Sequence, residues 1–127
     1  MTAQIMVLRP HDRLRQDATP VAAMYRDLGT SAAEQVITRA LGELALTMSG
    51  LTARVRSHDL CDVARQLRRL QNMAEQLGLV SLGLVAADVR DCLETGDTTA
   101  FAAVWARLLR VAELALGQDQ DLVDQLL

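Results

Sequence analysis

The sequence predicts an all-α fold, an antiparallel (up-down) four-helix bundle with an additional short N-terminal helix. Half of the 127 residues are hydrophobic, and most of these are alanine and leucine, both strong helix formers. Apolar residues recur at spacings of three and four along successive segments, as in the buried stripe of an amphipathic helix. Short turn sequences separate these segments, which favours antiparallel neighbours.

The first 30 residues are predicted to form an N-terminal extension with one short helix. An apolar patch at residues 6–8 lies in an irregular stretch that precedes this helix. Thr19 is expected to be the N-cap and Pro20 the first helical residue, because proline at that position gives up no helical hydrogen bond. Gly29 is expected to end the helix.

The second helix is predicted to be the longest, over residues 32–56. Ser31 and Glu34 have the spacing of a capping box at its start. Its apolar positions are Ile37, Leu41, Leu44, Met48, Leu51 and Val55. Gly42 and Gly50 lie inside this pattern, and we expect one of them to mark a bend or a close helix contact.

The third helix is predicted over residues 60–77, with Asp59 as its N-cap and Gly78 as its end. Its apolar residues fall on one face of a helical wheel. They are Leu60, Val63, Leu67, Leu70, Ala74 and Leu77. The third helix is therefore expected to bury this face in the bundle.

Two more helices complete the predicted bundle. The fourth covers residues 80–93, and the fifth covers residues 98–116, with Asp97 as its N-cap and Gly117 at its end. Their buried positions are expected to be Leu82, Val85, Val89 and Leu93, and Phe101, Val104, Leu108, Val111 and Ala115.

Composition and charge limit the domain organisation and the function classes. Residues 31–117 are expected to form the bundle, and residues 118–127 an acidic tail.

The net charge of −3 makes nucleic acid or an anionic membrane an unexpected partner. No apolar run reaches the roughly 20 residues of a membrane helix, and no signal peptide pattern is found, so we expect a cytoplasmic location. Cys61 and Cys92 are expected to be free thiols.

The polar face of the third helix carries the most distinctive pattern of the chain. It lies opposite the apolar stripe and holds clustered arginines, although the chain is acidic overall. Its members are Arg65, Arg68, Asn72 and Gln76, with Arg69 and Glu75 at the flanks. A solvated helix face is the ordinary explanation of such a stripe, and a binding surface is the alternative.

The same helix also carries a recognisable motif. It reads Arg68-Arg69-Leu70-Gln71-Asn72-Met73-Ala74-Glu75-Gln76-Leu77-Gly78, and Leu93-Glu94 and Gly96-Asp97 follow. Residues 32–116 thereby resemble histidine phosphotransfer (Hpt) domains of two-component phosphorelays, whose helix carries His-x-Leu-Lys-Gly-x-Ala followed by Leu-Gly. The matching leucines, alanine and glycine are scaffold positions of that family.

The departures from the family pattern fall on its chemical positions. Arg68 stands at the place of the phosphoacceptor histidine, Gln71 at the place of the lysine and Asn72 at the place of the glycine. Phosphotransfer needs a neutral imidazole nitrogen as nucleophile, whereas guanidinium is always protonated and offers no lone pair. The resemblance therefore implies a degenerate Hpt domain that is not an enzyme.

The resemblance implies a response-regulator receiver domain or a histidine kinase as the partner. Receiver domains present carboxylates around their phosphorylation site, and an exposed arginine can pair with them. The predicted partner-binding residues are Arg65, Arg68, Arg69, Gln71, Asn72 and Glu75. The alternative is a helical scaffold or self-association protein, in which residues 1–30 pack across a partner subunit in a homodimer.

The remaining candidate residues give weaker signals. His58-Asp59 is faintly similar to the His-Asp pair of some sensor kinases, so phosphotransfer through His58 is a less favoured hypothesis. Ser57 adjoins this pair, but sequence neighbours rarely have the geometry of a catalytic triad. His11 lies in irregular sequence and receives no role. No HxxxH or ExxH spacing is found, so neither a metal nor a cofactor is expected.

Overall fold

The all-α class is confirmed by a computed structural model that describes residues 14–126, with side chains up to residue 117. Five helices form within this range. They are α1 (Thr19–Leu28), α2 (Thr30–Arg56), α3 (Val63–Gln76), α4 (Val80–Thr95) and α5 (Thr98–Leu126). The predicted apolar patch at residues 6–8, and His11, lie outside the described residues. Among the described residues no helix is long and apolar enough to cross a membrane.

The core lies between α2, α3, α4 and α5. Helix α3 contacts both α2 and α4, α4 contacts α5, α2 contacts α5, and α1 contacts α2. The fully buried large side chains are aliphatic: Leu44, Leu51, Val63, Leu67, Leu70, Leu82, Val85, Val89 and Leu108. Each fully buried side chain of this kind contributes about 1.5–3 kcal/mol relative to an exposed one, so aliphatic packing is a large favourable contribution to the stability of the helix assembly.

Most of the predicted helix ends and buried stripes are confirmed. Gly78 follows the end of α3 as predicted, with a φ of +73°, a conformation that costs glycine little. Helix α4 runs past its predicted end at residue 93 to Thr95, and Gly96 follows it with a φ of +72°. Asp97 caps α5, since its Oδ1 accepts a hydrogen bond of 3.0 Å from the backbone N–H of Ala100. The α3 stripe is buried except for Leu60, which is 49% exposed because it precedes the helix.

The predicted starts of the first two helices are wrong in their details. Asp17, and not Thr19, supplies the side-chain acceptor at the start of α1, through a bond of 3.0 Å from the backbone N–H of Thr19. Helix α2 begins at Thr30, directly after Gly29, and has no side-chain cap. Ser31 therefore already lies in the first turn, and the predicted capping box with Glu34 does not form.

Helix α3 begins later than predicted, because two turns precede it. The Oδ1 of Asp59 accepts a hydrogen bond of 3.2 Å from the backbone N–H of Cys61, so Asp59 stabilises a turn and does not cap the helix. Asp62 takes the position before α3 and adopts a left-handed conformation with a φ of +70°. The close helix contact expected at Gly42 or Gly50 is absent, since no atom lies within 4 Å of a Cβ built on either; the alternative, a bend at one of them, stays a prediction.

Helix α5 runs past its predicted end. Gly117 was expected to end it, but the helix continues to Leu126, so the segment predicted as an acidic tail is helical to that point. Glycine inside a helix costs only about 1 kcal/mol relative to alanine. A single glycine without a following proline therefore permits a helix end but does not impose one.

An N-terminal strap, residues 14–18, lies on the connection between α3 and α4. The backbone N–H of Asp17 donates to the carbonyl of Gly78 at 2.8 Å. The backbone N–H of Arg15 donates to the Ser81 hydroxyl at 2.7 Å, and the Ser81 N–H donates to the Arg15 carbonyl at 3.2 Å. This part of the predicted irregular stretch is thus held by hydrogen bonds.

A substitution pair isolates the contribution of the strap to stability. Gly96→Ala should lower the free energy of unfolding by about 1–2 kcal/mol, the cost of a left-handed alanine. Gly78→Ala should cost at least about 1 kcal/mol more, because its Cβ would overlap the Asp17 carbonyl oxygen and disturb backbone hydrogen bonds. Urea denaturation measures both. Hydrogen exchange should show faster exchange of the Asp17 amide in Gly78→Ala only; equal costs would contradict this role of the strap.

Candidate functional site

The outer face of α3 is the candidate site, and the burial of the opposite face positions it. Val63, Leu67, Leu70 and Ala74 are fully buried, which turns the opposite side of the helix outward. Of the six predicted partner-binding residues, five are exposed and Gln71 is half-buried. Arg68 is exposed near the middle of α3, so its guanidinium is open to a partner.

The residues of this face differ in how far they are already engaged. Arg65 binds Asp62 through both carboxylate oxygens, with Nε–Oδ1 at 2.6 Å and Nη2–Oδ2 at 2.8 Å. The Gln71 side-chain amide donates to the Glu75 carboxylate at 3.2 Å. Within the part of the chain that the structure describes, neither Arg68 nor Arg69 forms an ion pair. These two arginines therefore keep their donors for a partner.

Asp62 organises the start of α3, and the sequence analysis did not single it out. Besides Arg65, it accepts a hydrogen bond of 3.3 Å from Gln66 and lies 3.6 Å from Nη1 of Arg54. The hydrogen bond from Arg65, and then that from Gln66, lower the pKa of Asp62. The Asp-x-x-Arg-Gln spacing was visible in the sequence, but Asp62 was placed inside a helix there.

Positive charge is concentrated at the α2–α3 junction. The segment from Arg54 to Arg69 contains five arginines and two aspartates. Its formal charge is therefore +3, whereas the net charge of the whole chain is −3. Arg54 is held in place, because its Nη1 also donates to the carbonyl of Cys61 at 3.1 Å. The molecule therefore has a basic region at the α2–α3 junction and an acidic remainder, an uneven charge distribution of the kind that steers oppositely charged molecules.

A groove lies between α1 and the C-terminal half of α3. It is open to solvent and is lined by Pro20 and Met24 of α1 and by Asn72, Glu75 and Gln76 of α3. Two of the predicted partner-binding residues thus border a groove formed with the N-terminal helix. No sequence pattern predicts this neighbourhood, because the contact between α1 and α3 joins segments about 50 residues apart along the chain.

The other candidate residues are not brought into a reactive arrangement. The Ser57 hydroxyl donates to the Arg54 carbonyl at 3.1 Å, and Asp59 accepts from Cys61, so neither is paired with His58. His58 is exposed, with a φ of +58°, in the turn after α2. Cys61 is exposed and Cys92 half-buried, both as free thiols. Across the described residues no cluster of three metal-binding side chains forms.

No family model, curated protein or solved structure matches this chain. The resemblance to Hpt domains therefore depends on the residue pattern of the sequence alone. What the site can do chemically follows from its side chains. Guanidinium groups donate hydrogen bonds to carboxylates and phosphates but do not attack them, so the exposed arginines are suited to binding.

The lowered pKa of Asp62 predicts a pH-dependent contribution to stability. A carboxyl group with a lowered pKa stabilises the folded state above its unfolded pKa of about 3.9, and this contribution is lost as the pH falls through the folded pKa. Asp62→Asn should therefore unfold more easily than wild type at pH 7. Urea denaturation at a series of pH values should show the difference shrinking below about pH 4. A difference that does not change with pH would contradict the role of the charge.

Proposed function

We propose that this chain is an Hpt-like interaction module of a bacterial two-component phosphorelay. It binds a response-regulator receiver domain, or a histidine kinase, through the face of α3 centred on Arg68, and it carries no phosphate there. The exposure of Arg68 near the middle of α3 is the observation that carries the proposal. An Hpt domain needs its reactive residue to be accessible at this place, and here the accessible residue is an arginine.

The proposal includes an up-down arrangement of α2 to α5. Contacts between α2 and α3, α3 and α4, and α4 and α5, together with the contact between α2 and α5, support a closed ring of four helices. The connections at residues 77–79 and 96–97 are short, and short connections favour antiparallel neighbours. In this arrangement α1 is an addition outside the four-helix core.

Arg68 would pair with the carboxylates that a receiver domain presents around its phosphorylation site. A guanidinium can donate two parallel hydrogen bonds to one carboxylate, and Arg68 needs to release no ion pair among the described residues. Asn72 lies one turn further along the same face and occupies the space that a glycine leaves open in the family. The module would therefore occupy the docking position in the cytoplasm and compete with phosphotransfer proteins.

Self-association is the second candidate function, and the surface of α1 favours it. No residue of α1 is buried, while Tyr25 is 36% and Leu28 51% exposed. Apolar side chains grouped on a helix that contributes little to the core can pack across a second subunit. A homodimer through the N-terminal segment would use this helix and leave the Arg68 face free.

The Arg68 proposal predicts a charge-dependent interaction. Arg68→Ala should weaken binding to a cognate receiver domain about fivefold or more, which corresponds to about 1 kcal/mol, and Arg68→Glu should weaken it further by repulsion. Calorimetric titration against the receiver domains of the host measures this effect. Arg107→Ala is the matched control, because Arg107 is an exposed arginine on α5. Equal affinities of wild type and Arg68→Ala would refute the role of Arg68.

The same preparation tests whether the module carries phosphate. Incubation with a phosphorylated receiver domain should leave no acid-labile phosphate on the chain, because Arg68 cannot accept it. Acid-labile phosphate that disappears in His58→Asn would instead support phosphotransfer through His58, and the adaptor role would be wrong. Sedimentation equilibrium tests the self-association alternative, in which the wild type is a dimer and Tyr25→Ser weakens that dimer.

A further inference from the structure

A notch lies between α2 and α3. It has a volume of about 280 Å³ and lies above Gly50, with Leu46 and Arg54 of α2 and Arg69 of α3 along its rim. Small-molecule sites usually occupy roughly 300–1,000 Å³, so the notch is better matched to one or two side chains of a polypeptide. Because the notch lies next to the basic region at the α2–α3 junction, an acidic side chain is the kind that it would bind.

Gly50 keeps the notch open at a cost to helix stability. Glycine inside a helix is about 1 kcal/mol less favourable than alanine, and no packed neighbour requires it here, because nothing lies within 4 Å of a Cβ built at Gly50. Gly42 shares this property, so an open glycine alone does not define a site. Gly50 differs from Gly42 because two guanidinium groups border the space above it.

The two guanidinium groups make the notch complementary to a carboxylate. Arg54 is 39% exposed and is held through its Nη1 by the Cys61 carbonyl and by Asp62, which leaves its other N–H groups for a ligand. Arg69 is exposed and forms no ion pair within the described residues. Gln66 adds an amide on the same rim, and charge-assisted hydrogen bonds of this kind are short and directional.

The other end of the notch has a different chemistry. Leu46 is 75% exposed, the most exposed large hydrophobic residue among those described, and Leu51 forms a buried floor. The Glu43 carboxylate lies beyond Leu46 and repels an anion from that end. A bound segment would therefore place its carboxylate near the arginines and an apolar side chain near Leu46.

We infer that this notch binds an acidic polypeptide segment, with a carboxylate between Arg54 and Arg69 and a neighbouring apolar side chain against Leu46. The site adjoins the face centred on Arg68 and shares Arg69 with it, because consecutive residues of a helix point about 100° apart and Arg69 lines the notch together with residues of α2. The inference does not depend on a receiver domain being the partner, so the two proposals can fail separately.

The test is a titration of the full chain with the peptide Glu-Glu-Leu-Glu-Glu-Leu, blocked at both termini. ¹⁵N NMR spectra recorded at each peptide concentration are the readout. Saturable shifts are expected at the Gly50 amide and at the Nε groups of Arg54 and Arg69. Gly50→Gln, which fills the notch, and Arg69→Gln should each weaken binding at least fivefold. Gly42→Gln is the matched control, since it places the same side chain on an open helical glycine outside the notch, and its affinity should stay within twofold of wild type.

Thermal denaturation checks that the variants fold. Both glycine substitutions should raise the unfolding midpoint, because glutamine is a better helix former than glycine, so a loss of binding in Gly50→Gln alone is not a loss of fold. Unchanged binding in Gly50→Gln or in Arg69→Gln would overturn the inference. Equal binding of the Gln-Gln-Leu-Gln-Gln-Leu peptide, or displacement of the acidic peptide by inorganic phosphate at equal concentration, would overturn it as well.

Discussion

The burial of the apolar stripe of α3 is the constraint on which the rest of the structure depends. Val63, Leu67, Leu70 and Ala74 have no exposed surface, and α3 contacts both α2 and α4. Because these side chains lie on one face, burying them fixes the rotation of the helix about its axis. The outward direction of Arg68, and of Arg69 toward α2, follows from that rotation.

Polar contacts hold α3 at both of its ends. At the start, Asp62 binds Arg65 and Gln66 of α3 and lies close to Arg54 of α2, so the rotation set by the core is linked to the neighbouring helix. At the end, Gly78 accepts the backbone N–H of Asp17 from the strap. A helix fixed in this way presents its outer side chains with little reorganisation, which reduces the entropic cost of binding a partner.

The features that the sequence predicts are those that arise from local pattern. The stripe of α3, its end at Gly78 and the cap at Asp97 each depend on residues a few positions apart. The exposed positions of the candidate site follow from the same periodicity. Local pattern was therefore enough to place Arg68.

The features that escaped prediction depend on contacts between distant segments or on finely balanced local energies. The strap joins Arg15 to Ser81, which lie far apart along the chain, and no periodicity reports such a pair. Asp62 adopts a left-handed conformation before α3, where its bonds to Arg65, Gln66 and Arg54 offset a backbone cost of about 1–2 kcal/mol. Helix α5 continues beyond Gly117 because the free-energy cost of one glycine inside a helix is too small to end it.

The electrostatics of the α2–α3 junction connect the fold to the proposed binding role. Asp62 engages Arg65 and positions Arg54, whereas Arg68 and Arg69 lie beyond its reach and keep exposed guanidinium groups. If Asp62 also neutralised Arg68 and Arg69, the outer face of α3 would be an ordinary solvated helix face. Within the described residues it engages only the arginines nearest the helix start, so those further along α3 form no ion pair there. In the proposed binding role, their positive charge on an acidic molecule would steer and orient an acidic partner.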